Sequence, residues 1–168
     1  MTQHHPRLRA QCQLPSPLGP LLATATDTGL AGLFFDAQAH HPGATAVPDD
    51  PAHPVLRDAA RSLQAYFDGD ADPLRLVRLD LHGTDFQQAV WRALQALPRG
   101  ATSTYGRMAA QVGRPTAVRA AGAAIGRNPV GILVPCHRVL GQDGGLTGYA
   151  GGLHRKQALL QLEGVLLL

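Results

Sequence analysis

The first third of the chain alternates short apolar runs with turn residues. Arg9 to Leu14, Leu21 to Thr26 and Leu30 to Phe35 are separated by Pro15, Pro17 and Gly19 and then by Gly29, a spacing that predicts an antiparallel meander. Residues 37–53 are rich in Ala, Pro, His and Asp without periodicity and read as a loop. Leu56, Ala59, Ala60, Leu63, Tyr66 and Phe67 then recur at helical spacing until Asp68-Gly69 ends the helix. Leu76 to Leu81 predicts one further strand.

A different pattern begins at Thr84-Asp85, which can cap a helix carrying Phe86, Val90, Trp91, Leu94 and Leu97 on one face before Pro98-Arg99-Gly100 stops it. The change of pattern places a domain boundary there, giving domains 1–82 and 83–168. Ser103 to Val112, a Gly113-Arg114-Pro115 turn and a small-residue helix from Thr116, read as its cap, to Arg127 follow. Two short helices on a tight turn are the layout of a helix-turn-helix. Ala117, Ala120, Ala121, Ala123 and Ala124 would let the second helix approach another surface closely, with Arg119 projecting from it.

Charge sharpens this picture. The 168 residues carry 15 Lys plus Arg against 12 Asp plus Glu, a formal charge of +3. Arg92, Arg99, Arg107, Arg114, Arg119, Arg127 and Arg138 all lie in the second half, whereas the acids of residues 49–72 lie in the first, so a polyanion is expected to meet the C-terminal half. Two cysteines, Cys12 and Cys136, provide neither a disulfide framework nor a paired zinc motif. The eight histidines lack partners at ligand spacing, so no metal is predicted. With no apolar leader or membrane-length run, a reducing cytoplasm is the expected compartment.

The residues with chemical content are Val130 to Leu140, where an apolar run delivers Pro135-Cys136-His137-Arg138. A thiolate near neutral pH needs a helper, and imidazole is the usual one. Glu163, in Leu162-Glu163-Gly164, is a candidate to orient the imidazole from its far side, although spacing alone does not bring it near. For an isolated Cys-His pair, a buried small residue beside a surface histidine remains the commoner explanation.

The surrounding motifs decide otherwise. Phe86-Gln87-Gln88-Ala89-Val90-Trp91, Ser103-Thr104-Tyr105-Gly106, Arg119-Ala120-Ala121-Gly122, Asn128-Pro129, Pro135-Cys136-His137-Arg138-Val139, Gly148-Tyr149-Ala150-Gly151-Gly152-Leu153 and Leu162-Glu163-Gly164 occur in one order. Together they resemble the C-terminal domain of the methylated-DNA-protein-cysteine methyltransferases, the O6-alkylguanine-DNA alkyltransferases. The resemblance implies an α/β (α+β) fold of two small domains, a ribonuclease H-like meander plus helix before a winged helix-turn-helix-like catalytic domain.

It also implies roles. Cys136 would accept the alkyl group, His137 would take its proton through a water, and Glu163 would hold the imidazole. Arg119 would fill the stack behind the extruded base, with Thr116, Ala120 and Tyr105 at the DNA, and Tyr105 would donate toward the guanine as it leaves. Asn128 would brace the turn between the recognition helix and an active-site strand. Val139, Tyr149, Ala150 and Gly131 would form the pocket. Gly131 stands where relatives carry proline, an exchange expected to widen the cavity for bulky O6 substituents. Cys12 alone does not reproduce the zinc ligands of some relatives, so neither metal nor cofactor is expected. The implied activity is repair of double-stranded DNA through the minor groove in one irreversible turnover. O6-alkylguanine would be the substrate and O4-alkylthymine a second candidate. The expected form is a monomer, with cooperative binding along DNA left open. Three other classes compete: a lesion-binding protein without transfer, a cysteine hydrolase using the same three residues, and a winged-helix regulator, for which the Ala-rich helix offers almost no base-reading side chains.

Overall fold

The computed structural model describes residues 7–70 and 76–165. Strands β1 (Ala10–Leu14), β2 (Leu21–Ala25) and β3 (Leu30–Phe35) form the expected antiparallel meander in the order β1-β2-β3. The short turns set the register, with Leu14 opposite Leu21 and Ala25 opposite Leu30. The central strand β2 is buried along its whole length. Helix α1 (Pro54–Phe67) crosses the sheet and buries Leu56, Ala59, Leu63 and Tyr66, the stripe that the 3.6-residue period marks out. Its proline lies in the first turn, where a helix does not need the missing N–H.

Both edges of this sheet are covered, which removes the rows of unpaired donors and acceptors that an edge strand exposes. On the β1 side, the 37–53 loop docks through Gln11 N–H to Pro48 O (3.0 Å) and Asp50 N–H to Gln11 O (2.9 Å). On the β3 side, the expected strand over Leu76–Leu81 reduces to one parallel bridge between Leu79 and Leu30. Leu30 N–H donates to Arg78 O and Asp80 N–H to Leu30 O, while the Asp80 carboxylate accepts from the Thr26 and Thr28 hydroxyls. A longer strand cannot form because the next stretch of that edge is taken by the second half of the chain, through Leu33 N–H to Pro129 O and Gly131 N–H to Leu33 O.

The second half is helical. Helix α2 (Asp85–Gln95) begins with a reciprocal capping box between Thr84 and Gln87 and buries Val90, Trp91, Ala93 and Leu94. Strand β4 (Ser103–Thr104) leads into α3 (Tyr105–Gln111), and a turn with Gly113 in the left-handed region at φ 77° leads to α4 (Val118–Gly126). Thr116 does not cap α4 as expected. The Arg114–Ala117 turn, closed by Ala117 N–H to Arg114 O, delays the helix start, leaving Thr116 exposed and Ala117 at the cap without a side-chain bond. Ala121, Ala124 and Ile125 are buried, α4 packs on α2 and α3, and Trp91 Nε1 donates to Ala124 O at 2.9 Å. Strand β5 (Val139–Leu140) pairs in parallel with β4, Ser103 beside Val139, and α5 (Leu153–Leu162) closes the fold. No helix among the described residues is long and apolar enough to cross a membrane.

Candidate active site

The apolar run before Cys136 is not the active-site strand its composition suggests. Only Val130 bridges to β3, and the backbone then turns twice. Leu133 N–H bonds to Gly131 O at 2.8 Å across Ile132, whose φ of 68° is rare for a β-branched residue. Cys136 N–H bonds to Val134 O at 2.8 Å across Pro135, at φ −84° and ψ 64°, where the proline ring holds φ near the value this inverse γ-turn needs. Asn128 braces the whole turn, with Nδ2 donating to Val134 O at 2.7 Å and Oδ1 accepting from Val130 N–H at 3.0 Å. Cys136 therefore opens a 3-10 turn, Cys136–Arg138, directly ahead of β5.

Glu163, the C-cap of α5, is brought to His137. Its Oε2 lies 2.6 Å from His137 Nε2, and both side chains are inaccessible to solvent. Arg138 adds Nε to Glu163 Oε1 at 2.7 Å and Nη2 to Oε2 at 3.1 Å. Burial alone would raise the Glu163 carboxyl, but hydrogen bonds from His137, Arg138 and Tyr66 outweigh it and hold the group well below the usual carboxylate range. Burial pushes His137 below its ordinary value, leaving a neutral imidazole whose Nδ1 is buried without a protein partner. Burial likewise raises the Cys136 thiol, so it rests protonated, while a hydrogen bond from Asn128 and the charge of Lys156 pull the other way. A neutral thiol and a neutral, carboxylate-held imidazole on adjacent residues can yield a thiolate when a water carries the proton between them, since Nδ1 bonds to no protein atom, the Cys136 sulfur included.

Cys136 lies in the wall of a cavity of about 130 Å³ together with Tyr105, Gly122, Ile125, Gly126, Gly148, Tyr149 and Ala150. The cavity thus joins the catalytic turn, the start of α3, the buried side of α4 and the 148–150 loop. Of the expected pocket residues, Tyr149 and Ala150 line it, whereas Val139 and Gly131 do not. Val139 is wholly buried in the core, and a Cβ at 131 would sit 3.4 Å from Leu33 O and 4.0 Å from Tyr149 Oη. Tyr105 Oη donates to Thr147 O at 3.0 Å. Arg119 and Ala120 are exposed on the outer side of α4 and Thr116 in the turn before it, and Arg119 has no hydrogen bond to the described residues. A larger open groove of about 420 Å³, between the β1–β2 turn and α1, contains no thiol or imidazole.

Residues 85–165 match the family described as "6-O-methylguanine DNA methyltransferase, DNA binding domain", and residues 13–81 match its "ribonuclease-like domain". A methylated-DNA–protein-cysteine methyltransferase of Mycobacterium bovis is 47% identical over 150 residues, covering 89% of each chain. The chain belongs to this family. A relative of the same description from Methanosarcina barkeri is 45% identical over 152 residues, covering 89% of this chain and 94% of its own. Among solved structures, the Mycobacterium tuberculosis O6-methylguanine methyltransferase superposes with a TM-score of 0.80 at 46% identity, covering 93% of this chain and 92% of that one. A Mycobacterium tuberculosis relative in complex with DNA gives 0.79 at 45% identity, covering 92% of each.

Four participants in this methyltransferase site escape sequence reasoning. Lys156 is buried, and its Nζ donates to Val139 O, Thr147 O and Gly148 O at 2.6, 2.9 and 3.2 Å, fixing the loop that carries Tyr149; burial lowers its pKa to about 8. The available signal was its place on the α5 stripe with Leu159, Leu160 and Glu163, at positions i, i+3, i+4 and i+7. Arg138 and Tyr66 reach Glu163 from elsewhere in the fold, and no local pattern announces them. Gly151 is a position of close approach, where a Cβ would fall 2.8 Å from the Tyr149 ring and 3.0 Å from that of Phe35.

Proposed function

We propose that this protein repairs alkylated DNA by moving the alkyl group of O6-alkylguanine irreversibly onto Cys136. The observation that carries this reading is a buried relay, Cys136 followed by His137 held by Glu163, that opens into a small cavity under the exposed face of α4. An alkyl carbon among stacked bases is out of reach of a thiolate, so the nucleotide must leave the helix, at a cost of about a few kcal/mol. The exposed small-residue face of α4, with Ala120 on it and Thr116 in the turn just before it, fits a minor groove, and Arg119 is free to fill the space left in the stack. His137 takes the thiol proton at Nδ1 through one water. The Cys136 sulfur then bonds the alkyl carbon as the carbon–O6 bond breaks, and the electron pair passes into the purine, which takes up a proton. Tyr105, close to the cavity mouth, is placed to donate that proton once its hydroxyl leaves Thr147 O.

A thioether has no low-barrier route back to a thiol, so each molecule acts once. Residues 83–168 are assigned the DNA-binding and catalytic domain and residues 1–82 a supporting domain, acting together as a monomer on double-stranded DNA. Two free cysteines fit a reducing cytoplasm. The test is intact-protein mass spectrometry after incubation with a duplex containing one O6-methylguanine, with Cys136→Ser as control. The expected result is a stoichiometric gain of one methyl, mapped to the Cys136 peptide and absent in the control. Binding without a change in mass would replace this reading with lesion binding alone.

A further inference from the structure

We propose that Tyr66, in the N-terminal half, is a positioning residue for the transfer: its hydroxyl fixes the Glu163 oxygen that orients His137. This inference rests on the transfer reading above. Tyr66 Oη donates to Glu163 Oε2 at 2.6 Å, and the same oxygen lies 2.6 Å from His137 Nε2. Tyr66 and Glu163 are 97 residues apart, on the last turn of α1 and the cap of α5. One cation pins both helix ends. Arg99 donates to Tyr66 O at 3.1 Å and to Leu162 O at 3.2 Å, and its guanidinium lies 5.0 Å from the centroid of the Tyr66 ring. The ring itself is 1% exposed and stands edge-on to Phe67 and to His137, at 5.1 and 6.4 Å.

Phenylalanine would fill this volume without a polar group to satisfy, so the hydroxyl is the informative atom. It brings no charge, since Arg138 already neutralises Glu163 through two contacts. It contributes direction and reduced basicity. With Arg138 on one side and Tyr66 on the other, the carboxylate cannot swing away from Nε2, and three donors on Oε2 keep it too weak a base to draw the proton off the imidazole. His137 Nδ1 thereby stays the site that receives the thiol proton. The other charged or titratable groups around this pair are Arg138, Lys156, Arg99, Cys136 and Tyr149.

The experiment is Tyr66→Phe, read as the pH profile of the single-turnover transfer rate, with DNA affinity measured alongside. Fewer donors leave Glu163 more basic, so it holds the imidazolium better and His137 releases its proton at higher pH. The acid limb is expected to move up by about one pH unit, about a tenfold deficit on the acid side that closes at high pH, with DNA affinity unchanged. Leu63→Ala, a buried change on the same helix that keeps the hydroxyl, should lower the melting temperature without moving the limb. Acid unfolding would move the apparent limb in both destabilised variants, so rates are compared only where each variant is fully folded and Leu63→Ala separates the two effects. A limb that stays in place in Tyr66→Phe, or moves as far in Leu63→Ala, overturns the proposal. The pH dependence of iodoacetamide labelling at the Cys136 peptide should shift in the same direction and needs no DNA. If the wild type takes no methyl from DNA, the transfer reading fails, and the labelling profile still decides the role of Tyr66.

Discussion

Replacing Asn128 with alanine removes both hydrogen bonds that brace the catalytic turn. The amide meets Val134 O at 2.7 Å and Val130 N–H at 3.0 Å, and the residue is only 5% exposed, so water does not take over either contact. Stranding a buried polar group costs about 1–3 kcal/mol, and two such groups cost about 2–6 kcal/mol. That is a large part of the roughly 5–15 kcal/mol that holds a domain together. At about 3 kcal/mol, the melting temperature of a chain of this size falls by about 6–12 °C. The assay pairs urea unfolding with single-turnover transfer at a temperature where the variant is fully folded. Transfer should fall as well, because the segment released is the one that presents Cys136. Asn128→Asp should be at least as damaging, since it satisfies Val130 N–H but sets an acceptor against Val134 O. A variant within about 0.5 kcal/mol of the wild type with normal transfer would refute the idea that Asn128 holds this turn.

Three other outcomes are expected. Arg119→Ala should slow transfer in duplex DNA by about 10–100-fold, through loss of about 1–3 kcal/mol that stabilises the extrahelical nucleotide, measured by rapid quench. Gly131→Pro removes the N–H donated to Leu33 O at 3.1 Å, so it should destabilise the fold by about 1–3 kcal/mol in urea melts rather than simply reshape the pocket. Stability should fall in acid. His137 and Glu163 both bind fewer protons folded than unfolded, so their contribution is present above their unfolded values of 6.5 and 4.5 and is lost as the pH drops below each in turn. Urea midpoints across that range test it, and Glu163→Gln should flatten the lower part of the curve.

The elements with strong periodicity were legible in the sequence. The meander, α1 and α2 follow from where Leu, Ala and turn residues fall, and Thr84 marks the start of α2 because its cap is local chemistry. Thr116 misleads for the opposite reason: the preceding Arg114–Ala117 turn consumes the position a cap would need. The Val130–Val134 run reads as a strand because apolar composition does not encode φ, and the left-handed Ile132 belongs to a turn closed by Leu133 N–H to Gly131 O and braced by Asn128. Cys136, His137 and Glu163 are legible as chemistry. The charges that tune them are not, because Lys156 and Arg138 look like ordinary surface cations until the carbonyls and carboxylate they serve are brought in from distant segments.

The docking of the catalytic turn onto β3 has a consequence for protein engineering. The reactive cysteine cannot be transplanted as a cassette. Moving residues 128–140 into another helix-turn-helix protein would carry the nucleophile but leave behind Leu33, whose N–H and carbonyl anchor Pro129 and Gly131. A graft that works has to take the sheet edge along with the loop, so the smallest portable unit is close to the whole chain.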